Sequence, residues 1–148
     1  MGSAATSRSW LECLDVTAAG RQHANWMRQT FARSLRDNAD AIDCHASVDL
    51  LDRVLRDVRV RTAVVSPTGY PDTYLGWAVA FCGAVVFAYV AYESRRGGLG
   101  TCLLETVSPG SNPWRFAFWT RAANRMAAKG YPCVYDLDAH ESLLSMAR

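Results

Sequence analysis

Ala88-Tyr89-Val90-Ala91-Tyr92-Glu93-Ser94-Arg95-Arg96-Gly97-Gly98-Leu99-Gly100-Thr101-Cys102-Leu103-Leu104 is the stretch whose reading decides the fold. A run of strand formers ends, a basic and glycine-rich turn follows, and an apolar helix begins. The first turn of a helix offers backbone N–H groups without intrahelical partners and a partial positive charge. Glycines let a phosphate approach the backbone. Arg95 and Arg96 add donors matched to phosphate oxygens. The order strand, arginines, glycines, helix therefore points to a phosphate-bearing ligand. The plainer alternative is a tight strand-to-helix turn with two solvated arginines.

Upstream, Leu75 to Tyr92 is apolar and uncharged, close to the length of a membrane span. Cys82-Gly83 interrupts it, and Val, Phe, Tyr and Trp favour strands, so it reads as strands Tyr74–Phe81 and Ala84–Ala91 joined at Gly83. Before them come a strand at Trp10–Val16, a helix at Ala18–Arg36 and a second helix from Ser47 to about Val58. The stripe Gly20, Ala24, Met27, Phe31, Leu35 marks the first helix, and Val48, Leu51, Leu55, Val58 the second. A strand at Arg61–Ser66 follows. Downstream, Gly98–Val107 reads as a third helix, Trp114–Trp119 as a buried strand, and Thr120–Lys129 as a fourth helix stopped by Gly130. Tyr131–Leu137 reads as a last strand, with one or two helical turns after His140. The order predicts an α/β layered domain over residues 1–148, its sheet mixed but mostly antiparallel and flanked by helices.

The 148 residues carry 16 basic and 14 acidic side chains, so charge argues for neither a membrane nor a nucleic-acid partner. Five cysteines, an odd number without metal-ligand spacing, suggest reduced thiols in a cytoplasmic protein. Cys102, in the first turn of the third helix, reads as a small packed residue. His23, His45 and His140 show no metal spacing, so no metal is expected. Trp114, Phe116 and Phe118, at even positions, are assigned to one face and to the core; Trp119 is open.

The turn resembles that of the GNAT acyltransferases, which carry Arg/Gln-x-x-Gly-x-Gly/Ala after the fourth strand; Arg95-x-x-Gly98-x-Gly100 matches it. Tyr74-Leu75-Gly76-Trp77-Ala78-Val79 is similar to the family's third strand, and Ala122 to Tyr131 to its fourth helix, which ends in Gly-Phe. The likeness runs from about Leu14 to Tyr135. It implies a GNAT-like three-layer fold that uses acetyl-CoA as co-substrate. The fourth strand would splay from the next, and the pantetheine arm would pair with backbone near Ala88 and Val90. The amides from Arg96 through Gly97, Gly98, Leu99 and Gly100 to Thr101 would hold the pyrophosphate beside Arg95. The Val90 N–H would polarise the thioester carbonyl for direct attack by an amine.

Three features depart from the family pattern. Met126 stands where many members have a proton-donating Tyr, and Trp119 where an Asn is frequent. After Tyr135 only thirteen residues remain for the last hairpin. Tyr92 and Tyr135 are then the candidate proton donors, and Glu93, Asp136, Asp138 and His140 the candidate bases by type. Asp136 and Asp138 would share a strand face. The implied activity is N-acyl transfer to a small-molecule or protein amine, drawn by Asp40 and Asp43 in the link Asp37–His45; a homodimer is left open. The alternative is a catalytically degenerate module that keeps the fold for binding or assembly, as in a phage particle. Modification of a nucleobase amine is a third reading, disfavoured by the charge balance.

Overall fold

The computed structural model describes residues 13–37, 48–91, 98–110 and 112–146. Its strands form one six-stranded sheet in sequence order: β1 (Leu14–Thr17), β2 (Val60–Pro67), β3 (Gly76–Phe81), β4 (Ala84–Val90), β5 (Trp114–Phe116) and β6 (Cys133–Tyr135). Pairing is antiparallel from β1 to β4, then parallel from β4 through β6. The helices are α1 (Ala24–Asp37), α2 (Val48–Leu55), α3 (Leu99–Val107), α4 (Arg121–Ala128) and α5 (Leu137–Met146). This is the mixed, mostly antiparallel sheet between helical layers that the sequence leads one to expect. The apolar run Leu75 to Tyr92 supplies β3 and β4, and no described helix is long and apolar enough to cross a membrane. The turn between them, Cys82-Gly83, has positive φ at both residues (49° and 83°), as tight two-residue hairpins require.

Strand alternation divides the core. Trp77, Val79 and Phe81 of β3 point to one layer with Met27 and Phe31 of α1, Leu50, Leu51 and Val54 of α2, and Leu143 of α5. Ala78 and Ala80 point to the other, against Leu99, Leu103 and Val107 of α3. Small residues on that face let α3 lie close. A Cβ on Gly76 would come 2.8 Å from the Tyr89 carbonyl oxygen and 3.0 Å from Leu103 Cδ1. One buried polar group ties α1 to the sheet: the Trp77 indole N–H donates to Thr30 Oγ1 at 2.8 Å, while the Thr30 hydroxyl donates to the Trp26 carbonyl at 2.9 Å.

Several boundaries differ from the sequence reading. A 3₁₀ turn, Arg21–His23, precedes α1, because the Gly20 N–H bonds His23 Nδ1 at 2.9 Å and caps the chain there; Gly20 is therefore outside the helical stripe. α2 ends at Leu55, and Val58 is 98% exposed rather than buried. The cause is Asp57, whose carboxylate accepts from the Arg59 backbone N–H and guanidinium, turning the chain toward β2. β5 stops at Phe116, so Trp114 and Phe116 join the α3–α4 side while Phe118, past the strand end, packs with α1 and α2. The final strand is also short. Asp136 caps a ten-residue helix, accepting from Ala139 N–H at 3.0 Å, and the tail runs back over α2, where Arg53 donates to the Met146 carbonyl. Asp136 and Asp138 consequently share no strand face.

Two substitutions test this packing. Thr30→Val strands the Trp77 indole N–H and is expected to lower stability by about 1–3 kcal/mol. Gly76→Ala forces α3 and β4 apart and is expected to cost about 1–3 kcal/mol. Urea denaturation measures both.

Candidate functional site

The site grows from an irregularity in β4. Its pairing with β3 jumps from Val79–Phe87 to Ala80–Val85, so Val86 is an extra residue, a β-bulge. Before it, the Val85 carbonyl faces β5 and accepts the Ala117 N–H at 2.8 Å. The extra residue shifts the alternation by one. Beyond it, Ala91 N–H bonds the Leu75 carbonyl on the β3 side, so alternation turns the backbone groups of Ala88 and Val90 toward the β5 side. The β4–β5 ladder covers only Ala84–Arg115 and Val85–Phe116, whereas β4 runs on to Val90. Pairing between the two parallel strands thus ends at Val85 and Ala117, while β4 continues to Val90.

α3 opens beside the far end of β4. Its N-cap is Gly98, at φ 82°, a conformation that side chains resist. Among the described residues no side chain caps this helix, Gly98 having none to offer, whereas Thr120 Oγ1 caps α4 by accepting from Ala123 N–H at 3.2 Å. The first intrahelical bond is Cys102 N–H to the Gly98 carbonyl, 3.1 Å. The amides of Leu99, Gly100 and Thr101 precede it and point out of the helix end. Among the described residues a Cβ on Gly100 would meet Val90 Cγ2 alone, at 3.9 Å. That contact places the first turn of α3 against the end of β4, so Ala88, Val90 and Gly98 through Thr101 converge. Leu99 is buried beneath them and anchors the turn. Tyr92, Glu93, Arg95, Arg96 and Gly97 lie outside the described residues, as do Asp40, Asp43 and His45.

The other candidates fall elsewhere. Tyr135, half exposed, pairs in register with Phe116, level with Val85. It lies two strands across from β4, about 10 Å, and about 17 Å short of Val90 along the strand direction. Asp136 is a helix cap and is ion-paired with Arg115 at 2.9 Å. His140 is buried, its Nδ1 3.0 Å from the Ala117 carbonyl and its ring against Phe118. Burial raises the Cys102 thiol above its usual value, as does Glu105, so the helix start does not activate it. Met126 packs against the apolar cluster of Leu104, Trp114, Phe116 and Ala123, with Trp119 beside it. Among the described residues, no group of three or more metal-ligating side chains occurs.

An aromatic group that sequence reasoning missed stands at the same end of β4, on the face opposite α3. Trp26 packs with Tyr74 (ring centroids 5.3 Å apart) and with Tyr89 (5.8 Å), and His23 meets Tyr74 edge-on at 4.9 Å. Trp26 lies one position off the α1 stripe. Its signal in the sequence was that displacement, a large aromatic outside the buried face.

No protein-family model matches the chain, and no curated protein matches it. Among solved structures, the chain is similar to a ribosomal-protein-alanine N-acetyltransferase from Brucella melitensis biovar Abortus 2308. The identity is 11%, the coverage 87% of this chain and 86% of that one, and the TM-score 0.46. It is similar also to an aminoglycoside acetyltransferase from an uncultured soil metagenomic sample, solved with trehalose. There the identity is 13%, the coverage 89% and 88%, and the TM-score 0.43. The described elements follow the order that the sequence leads one to expect: four antiparallel strands, a parallel continuation through β5 and β6, and a helix opening beside the end of β4.

Burial holds the His23 imidazole below its usual 6.5, and its Nδ1 is committed as an acceptor for Gly20 N–H. A lowered folded-state value means that the unfolded chain binds the proton more readily. The stability contributed is present above pH 6.5 and is lost as pH falls below it. The thermal midpoint is expected to drop between pH 7 and pH 5, and to drop less in His23→Asn, which keeps an acceptor but does not titrate.

Proposed function

We propose that the chain is an acyl-CoA-dependent N-acyltransferase that moves an acetyl group onto an amine by direct attack. The observation that carries this reading is the run of β4 five residues past its last pair with β5, to Val90, with the glycine-lined start of α3 beside its end. Backbone N–H groups at a helix start suit a pyrophosphate, and the β5 side of β4 at Ala88 suits an extended amide-bearing arm, much as a strand would pair. Acetyl-CoA supplies an activated thioester carbonyl when bound. The chain's part is to hold the phosphates on Leu99, Gly100 and Thr101 and to align the arm along β4. Arg95 and Arg96 would add charge at the diphosphate. Tyr92 and Glu93, directly after the strand, would be the proton-handling groups nearest Val90 in sequence.

A degenerate binding module is the second reading, and the surroundings of Met126 favour it. That position is packed in apolar side chains and offers no proton donor, while Tyr135, Asp136 and His140 are committed elsewhere. Thiol release distinguishes the two: no turnover over a broad amine panel, with acetyl-CoA bound, would leave the module.

Gly100→Ala separates ligand binding from folding. The added methyl has room and favours the helix by about 0.5–1 kcal/mol, so the thermal midpoint is expected to hold or rise. It also intrudes on the amides of the first turn. Isothermal titration is expected to show acetyl-CoA affinity reduced about tenfold; unchanged affinity would place the phosphates elsewhere.

A further inference from the structure

We infer that the outer edge of the sheet, from Tyr131 to Leu137, is a two-fold interface on which a second copy of this chain docks. The inference stands apart from the acyl-transfer reading and uses none of its binding residues. β6 is the last strand of the sheet, so one of its sides faces away from β5. Seven large apolar side chains are exposed among the described residues, and four of them fall on this short edge. Tyr131 is 42% exposed, Val134 42%, Tyr135 45% and Leu137 54%. The other three, Val16, Val58 and Tyr70, stand singly on separate segments, as scattered surface residues do. The four on the edge together present on the order of 300 Å² of apolar surface, the size of patch that marks an interaction site. The patch is also held in place. The Tyr131 ring stacks on Trp114 at 5.6 Å, and the Tyr135 ring meets His140 edge-on at 5.7 Å. The Trp114 N–H bonds the Pro132 carbonyl, and the Asp136 N–H bonds the Phe116 carbonyl. Side chains ordered in this way have little conformational freedom left to lose on docking.

The order of residues along the edge selects the partner. Counting from Val134, one exposed apolar side chain stands three residues before it, Tyr131, and another three residues after it, Leu137. The apolar spacing therefore reads the same in both directions. Charge is reversed between the two ends. The helix that leads into the edge, α4, closes with exposed Arg125 and the exposed C-cap Lys129, whereas α5, which leaves it, opens with exposed Asp138 and Glu141. Within one copy each set suits the dipole of its own helix. Between two copies related by a two-fold axis at Val134 the edges run antiparallel. Val134 then meets Val134, Tyr131 meets Leu137, and the basic end of each copy meets the acidic end of the other. Parallel docking would bring like charge to like. A surface that complements itself under a two-fold fits a second copy, with every contact off the axis made twice. β4 and the start of α3 stay clear of the interface, since β6 lies two strands beyond β4.

Sedimentation velocity of the full chain, run from about 1 to about 300 µM, covers the range in which a small interface associates. The mass is expected to rise from monomer to dimer with concentration. Val134→Arg sets two like charges on the axis and is expected to weaken association at least about tenfold. Its thermal midpoint, taken at the lowest concentration, is expected to match wild type; should it fall, Leu137→Asp repeats the test at a more exposed position. A charge exchange distinguishes this interface from general adhesion of apolar surface. Lys129→Glu alone and Asp138→Lys alone are each expected to weaken the dimer about threefold. The protein carrying both changes, in which the two ends trade sign, is expected to return to within about twofold of wild type. A monomer at every concentration overturns the inference. So does a dimer that Val134→Arg and Leu137→Asp leave intact, or a double exchange that associates no better than the single ones.

Discussion

One extra residue in β4 governs the rest of the architecture. Each strand residue has one pair of backbone groups, and alternation sends successive pairs to opposite neighbours. Val86 breaks that count, so Val85 serves β5 below the bulge while Ala88 and Val90 face that side above it. A bulge also bends and twists its strand, which accords with a parallel ladder that ends after two residue pairs. A regular β4 would direct Phe87 and Tyr89 to the β5 side and send the aromatic side chains to the α3 face. The bulge instead puts Val86 and Phe87 together in the α1–α2 core and keeps the α3 face small.

That small face has its own consequence. Ala63, Gly76, Ala78 and Ala80 leave shallow relief, so Leu99, Leu103 and Val107 can seat α3 directly on the sheet. Seating by buried leucines places the first turn of α3 beside Val90, with its amides directed out of the helix end. The opposite face is filled by Trp77, Phe81 and Phe87 under α1 and α2, with Thr30 satisfying the one indole that reaches the centre. Bulk is thus on one side of the sheet and shallow relief on the other, with Trp26, Tyr74 and Tyr89 together at the end of β4 on the bulky side.

Beyond β5 the chain is economical. β5 and β6 have three residues each, and the segment that might have continued as a strand becomes α5, capped by Asp136. That carboxylate also anchors Arg115, which reaches the Cys82 carbonyl at 2.9 Å and so braces the hairpin between β3 and β4. His140 takes part in the same brace through the carbonyl of Ala117, whose N–H bonds Val85 at the last contact between β4 and the β5 segment. Residues that look like acid–base candidates by type are here parts of the frame that fixes β5 against β4.

The sequence by itself determined the element order, the hairpin at Cys82-Gly83 and the strand-to-helix turn ending in Gly98-Leu99-Gly100. These follow from local rules: apolar periodicity, glycine's access to positive φ, and the need to turn between strands. It could also single out Gly98 and Gly100, because the absence of a side chain is itself a local signal. Asp57 and Asp136 act through neighbours two and three residues on, so their turns are local too; tertiary contacts instead set the layer that Phe118 joins and the burial of His140. The meeting of Trp26, Tyr74 and Tyr89 belongs to the same group. Each of these depends on which distant segment arrives beside the residue. Residue type and spacing carry no record of that, since the bulge that sets the facing of β4 is a property of two strands in register and not of either one alone.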